Sequence, residues 1–191
     1  MCKEKGFGKA YEAINNYLRQ RGGPNFVSKL TLYDVDVTYL DSQRKFDNKR
    51  PLYNLEKCGD VKYYFRFLFR PDKLTEYRFG IALDSFNQIV SPASFPNYKA
   101  NPHFDRLIPP IKAYKMIVKS HRHLVYPLKS IELEYNGIEG RFEWVIKQKK
   151  FENSNALVYS YETARVKVDA NTGLVVDTGH DLHTVISDPQ F

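Results

Sequence analysis

The chain has 191 residues, 42% of them hydrophobic and 15% aromatic, and a formal net charge of +7. That length allows one large core or two of about 90 residues each, and the aromatic content suits curved antiparallel sheet and excludes a disordered chain. No apolar run approaches the roughly 18–20 residues that cross a bilayer.

The positive charge is uneven. Residues 1–100 hold 17 Lys/Arg against 11 Asp/Glu, whereas residues 101–191 hold 12 against 11. A basic first half permits an anionic partner and also serves simple solubility. Cys2 and Cys58 are the only cysteines, too few for a disulfide scaffold. Met1-Cys2-Lys3 is how a bacterial lipoprotein would begin with its signal replaced by Met. The expectation leans to an exported or cell-envelope protein, with an ordinary cytosolic chain as the alternative.

In chain order, Ala10, Tyr11, Ile14, Tyr17 and Leu18 form the stripe of an amphipathic helix over 7–21, which Gly22-Gly23-Pro24 should end. Residues 26–40 alternate as one long strand, with Leu30 and Leu32 followed by Val35 and Val37, a parity change that implies one irregularity. Residues 41–59, with Arg44, Lys45, Lys49 and Arg50, read as a loop. Val61 to Arg70 is the clearest strand: Val61, Tyr63, Phe65, Phe67 and Phe69 share one face, and Lys62, Tyr64, Arg66, Leu68 and Arg70 the other. After a turn at Pro71-Asp72-Lys73, Tyr77, Phe79, Ile81 and Leu83 alternate up to Asp84. Five prolines between 92 and 110 then suggest a linker.

A second helix is predicted over about 110–122, with Ile111, Tyr114 and Ile117-Val118 apolar. A strand over Leu128–Tyr135 should face Ile131, Leu133 and Tyr135 inward. Asn136-Gly137 signals a hairpin, and Phe142, Trp144 and Ile146 alternate beyond it. A polar loop, a strand over 157–168, a turn at Asp169 and a mixed tail over the last ten residues complete the reading.

The halves repeat one another. KAYxxI occurs at Lys9–Ile14 and at Lys112–Ile117, and each copy precedes strand-like runs and an Asp-turn. The runs Ile81-Ala82-Leu83-Asp84 and Val166-Lys167-Val168-Asp169 both end on Asp, and Ile89-Val90 or Leu174-Val175 follows five residues later. Asp and Asn bond backbone amides in such turns, and Gly173 supplies a positive φ.

A helix followed by three antiparallel strands, closed by runs such as VKVDANTGLVV, resembles the cystatin and PepSY plan. Two units joined by a linker resemble the latexin layout. The expected fold is therefore α+β, with cystatin/PepSY-like units at 1–91 and 110–191 and a linker at 92–109. The resemblance implies protein binding, often restraint of a peptidase, rather than catalysis; the expected protein is a non-enzymatic binding module, peptidase-inhibitor-like or envelope-associated, and no cofactor is expected. The cystatin QxVxG loop is not matched, since Gln88-Ile89-Val90-Ser91-Pro92 puts Pro in place of the last Gly, and no latexin contact residue carries across.

Other chemistry finds little footing in the sequence. His103, His121 with His123, and His180 with His183 do not make a convincing set of three or four metal ligands. Asp84 and Asp169 have turn roles, and Cys58 has no evident base; no Gly-rich phosphate loop, HExxH or GxSxG motif is present. The best binding candidate is the face of Lys62, Tyr64, Arg66, Leu68 and Arg70. It could cradle an acidic peptide or stack and neutralise single-stranded nucleic acid, or it could be a solvated sheet face. A small enzyme on a cone-shaped sheet with a helix lid is a third possibility, one that would need a polar pocket.

Overall fold

The computed structural model describes residues 7–37, 61–84, 86–120, 126–154 and 158–186. The chain forms two compact units, Met1–Asp105 and Arg106–Phe191. Both are α+β: among the described residues, two helices are accompanied by two antiparallel sheets of three and four strands.

In the first unit, helix α1 (Phe7–Ser28) buries Ala10, Ile14 and Leu18, spaced four residues apart and so on one stripe. The Gly-Gly-Pro sequence interrupts this helix instead of ending it. Gly23 adopts φ 75° and ψ 168°, and a Cβ there would come within 2.6 Å of the Tyr98 ring. Pro24, whose fixed φ and missing N–H suit a first helical position, then starts a further turn. That extra turn carries Phe26 into the core against Phe69, Phe79, Phe95 and Phe104, at centroid distances of 4.7, 6.2, 4.9 and 5.1 Å.

Strands β1 (Leu30–Val37), β2 (Val61–Phe69) and β3 (Tyr77–Asp84) lie in that order, all antiparallel. The expected irregularity is a bulge at Tyr33: Leu32 pairs with Phe67 but Asp34 with Arg66. Tyr63, Phe65, Phe67 and Phe69 are buried as predicted, together with Phe79, Ile81 and Leu83 of β3. Asp72 fastens the β2–β3 turn by accepting bonds from Leu74 N, Thr75 N and Thr75 Oγ1.

The Pro-rich segment expected to link the units supplies core to the first one. Phe95 and Phe104 are fully buried. Arg21 Nε donates to Phe95 O at 3.2 Å, and Lys29 Nζ reaches Asp105 Oδ2 at 3.1 Å.

In the second unit, helix α2 (Pro110–Ser120) buries Ala113 and Ile117, while Ile111 and Val118, expected on the apolar side, are exposed. Strands β4 (Leu128–Asn136), β5 (Arg141–Ser154), β6 (Val158–Asp169) and β7 (Val175–Ile186) form a meander. Two expectations are corrected here. The polar loop after Ile146 is the far half of β5, paired with β6 as far as Ser154, and residues 182–186 of the expected tail belong to strand β7. Phe142, Trp144, Ile146, Val166 and Val168 form the inner face, and Trp144 Nε1 donates to Ile108 O at 3.1 Å. Gln148 continues this face, fully buried, and neither amide atom meets a protein partner.

Both Asp-turns close as the sequence suggests. Asp84 Oδ1 accepts from Phe86 N and Gln88 N, and Asp169 Oδ1 accepts from Asn171 N, Thr172 N and Thr172 Oγ1. Asn87 takes φ 63° in the first turn and Gly173 φ 78° in the second. Beyond the turns the units part: the first makes one bridge, Leu83 to Ile89, where the second continues into β7.

Candidate functional site

The outward face of the first sheet is where the sequence placed the binding candidates. Because the Tyr33 bulge shifts the parity of β1, Asp34 and Asp36 come to face Arg66 and Tyr64. Arg66 forks onto both carboxylates, NH1 to Asp34 and NH2 to Asp36. The hydrogen bond it donates to Asp36, with that to Asp34, holds the guanidinium's pKa above its ordinary value. Its carbon also sits 5.3 Å from the Tyr64 ring centroid, a cation–π distance. The Tyr64 ring in turn crosses Gly80 on β3 so closely that a Cβ there would overlap Tyr64 Oη. Arg66 is therefore committed to its own sheet.

Arg70 differs. Its NH2 lies 2.7 Å from Glu76 Oε1, but Arg78 NH2 takes the other oxygen of the same carboxylate at 3.3 Å. Two cations share one anion, and both arginine side chains are more than half exposed. These bonds, that from Arg70 first, pull the Glu76 pKa below its ordinary 4.5. The Arg78 guanidinium also lies 6.0 Å from the ring of Tyr33, which is 47% exposed. Of the predicted five, Arg70 keeps its charge available, Tyr64 and Arg66 pack on each other, and Leu68 is buried. Lys62 falls where the β2–β3 register is irregular. Tyr33 and Arg78 belong to the same surface and escaped the sequence reading; so did Asp34 and Asp36, although the parity change along β1 already put both acids on the strand's polar face.

The second sheet is paved with ion pairs on its outward face. Lys147 meets Glu132 at 2.7 Å, and Lys167 lies 3.4 Å from Glu134 and 3.9 Å from Glu143. The bonds from Lys147 and Ser130 lower the pKa of Glu132 from 4.5. Glu143 is buried, accepting from Asn136 Nδ2 at 2.8 Å and Arg141 Nε at 3.2 Å. Arg165 serves two acids at once, Asp177 and Asp181, both at 3.3 Å.

The remaining candidates are placed as follows. His180 and His183 lie on strand β7, and His180 Nδ1 is 3.3 Å from Glu162. His103 sits on the first unit's Pro-rich segment and is exposed. Asp84 and Asp169 spend a carboxylate oxygen on their turns. Cys2, Cys58, His121 and His123 lie outside the described residues. Among the described residues no three His, Cys, Asp or Glu side chains are grouped as metal ligands, and no helix is long and apolar enough to cross a membrane. No protein-family model, curated protein or solved structure matches the chain.

Proposed function

We propose that this chain is a non-enzymatic protein-binding protein, with one contact surface on the outward face of the first sheet. The observation that carries this reading is Glu76 shared between Arg70 and Arg78. One net positive charge is left beside exposed Tyr33, and Tyr and Arg are the residue types that most often dominate protein interfaces. An acidic segment of a partner could take up the second arginine without breaking the first pair. Phosphate binding is less favoured, because Arg66, at the centre of the face, already holds two carboxylates.

The cystatin/PepSY-like order of helix, three strands and Asp-turn in each unit supports the same class of function. It suggests restraint of a peptidase by occlusion as the form the binding takes. The test is affinity capture from extract of the source organism with wild type and an Arg70→Glu/Arg78→Glu variant. A defined protein held by wild type and lost by the variant is the expected result. Nucleic acid recovered in its place, released by salt, would overturn the reading in favour of a single-strand binder.

A further inference from the structure

The four sheet edges are not equally protected. Edge β1 is bulged at Tyr33, and β4 follows Pro127 and shifts register where Lys129 falls. The end of β3 is covered, since Ala82 O accepts from Val90 N and Ala82 N donates to Ser91 Oγ. Bulges, Lys, Pro and covering segments are the usual devices that stop an edge from pairing with another chain. Strand β7 has its irregularity at the very start. From Asp177 to Ile186 it runs in unbroken register with β6 and holds no Lys, Arg or Pro. Among the described residues, no backbone group of that stretch bonds outside the β6 ladder. Alternate residues of an antiparallel edge turn N–H and C=O away from the sheet, so about five such pairs face outward here.

The side chains beside this edge specify what could pair with it. Asp177 and Asp181 are 48% and 34% exposed and share Arg165, which leaves one net negative charge. Between them is Gly179, whose missing side chain makes room for the guanidinium: a Cβ would stand 3.2 Å from Arg165 NH2. A strand laid against β7 would put residues four apart opposite the two aspartates, at cross-strand distances of about 5 Å. We propose that the β7 edge binds an extended segment of a partner protein by strand addition, selecting Lys or Arg at two positions four residues apart. Main-chain bonds would supply the affinity, and the aspartates the register. This surface is on the second unit, so the inference stands or falls independently of the first sheet.

The test is fluorescence anisotropy with a labelled octapeptide, Val-Lys-Val-Thr-Val-Lys-Val-Thr. Three comparators are used: its Lys→Glu version, a version N-methylated at alternate amides, and Asp177→Asn/Asp181→Asn protein. Saturable binding is expected. It should weaken roughly fivefold to tenfold with the Asn variant and the Glu peptide, and vanish on N-methylation. Trp144 emission shows that the variant is folded. Equal binding of the N-methylated peptide would overturn strand addition, as would no binding to folded wild type. Unchanged affinity of the Asn variant would overturn the charge rule. A concentration-dependent dimer that the peptide does not dissociate would give the edge to a second copy, and would also overturn the proposal.

Discussion

Phe26 is the residue on which the first unit's core can be tested most directly. It is fully buried and touches four other phenylalanines from β2, β3 and the Pro-rich segment, at 4.7 to 6.2 Å. Phe26→Ala removes a ring whose burial and cavity terms together cost about 3–5 kcal/mol. Each aromatic pair adds about 0.5–1.5 kcal/mol beyond area, so the upper end is expected. Against a typical total of about 5–15 kcal/mol, that leaves the unit marginal. Phe26→Leu keeps part of the apolar surface and should cost less. Urea unfolding followed by far-UV circular dichroism measures the loss. The sole tryptophan, Trp144, sits in the other unit's core, so its emission separately reports whether that unit shares the transition. A loss below about 1 kcal/mol, the range of an ordinary substitution, would refute the account of Phe26 as the centre of this core.

Gln148→Met should stabilise the second unit by about 1–3 kcal/mol, because it replaces a buried amide without protein partners by an apolar side chain of similar volume; a lowered melting temperature in calorimetry would refute this. Asp169→Ala removes the acceptor of three bonds in the second Asp-turn and should cost about 1.5–3 kcal/mol by thermal unfolding, with Asp169→Asn recovering part of the loss. Glu132 and Glu76 have folded pKa values depressed below 4.5, so folding binds their protons more weakly than the unfolded chain does. Their stabilisation is present above that value and disappears as pH falls through the lower folded values. Glu132→Gln should therefore flatten the acid side of a plot of urea midpoint against pH, by under about 1 kcal/mol because the pair is partly exposed and screened by water.

Where one face of a strand is apolar and the other polar, the sequence was easily read. Val61–Phe69 shows this, and the change from even to odd apolar positions along β1 signalled one irregularity, which the structure places at Tyr33. Both Asp-turns were legible because their chemistry is local. Gly22-Gly23-Pro24 misled because the same residues that stop a helix also start one, and only the packing of Phe26 decides between them. The far half of β5 and strand β7 carry Lys, Asn, Gly and His in place of alternating apolar residues. They are strands because β6 offers them a backbone ladder, which is a tertiary cause. The candidate face was found as a row of side chains, but its electrostatics were not, because neutralisation of Arg66 and the sharing of Glu76 depend on neighbouring strands.

The closure of the first unit by residues 95–105 bears on how the chain folds during synthesis. Every described strand of its sheet has been made by Asp84, yet Lys29 waits for Asp105, 76 residues later, and Phe26 for Phe95 and Phe104. An emerging chain cut at residue 91 would own a complete sheet and helix with their shared aromatic cluster open to water. Until the prolines and their two phenylalanines clear the ribosome, that cluster is the surface a chaperone would meet.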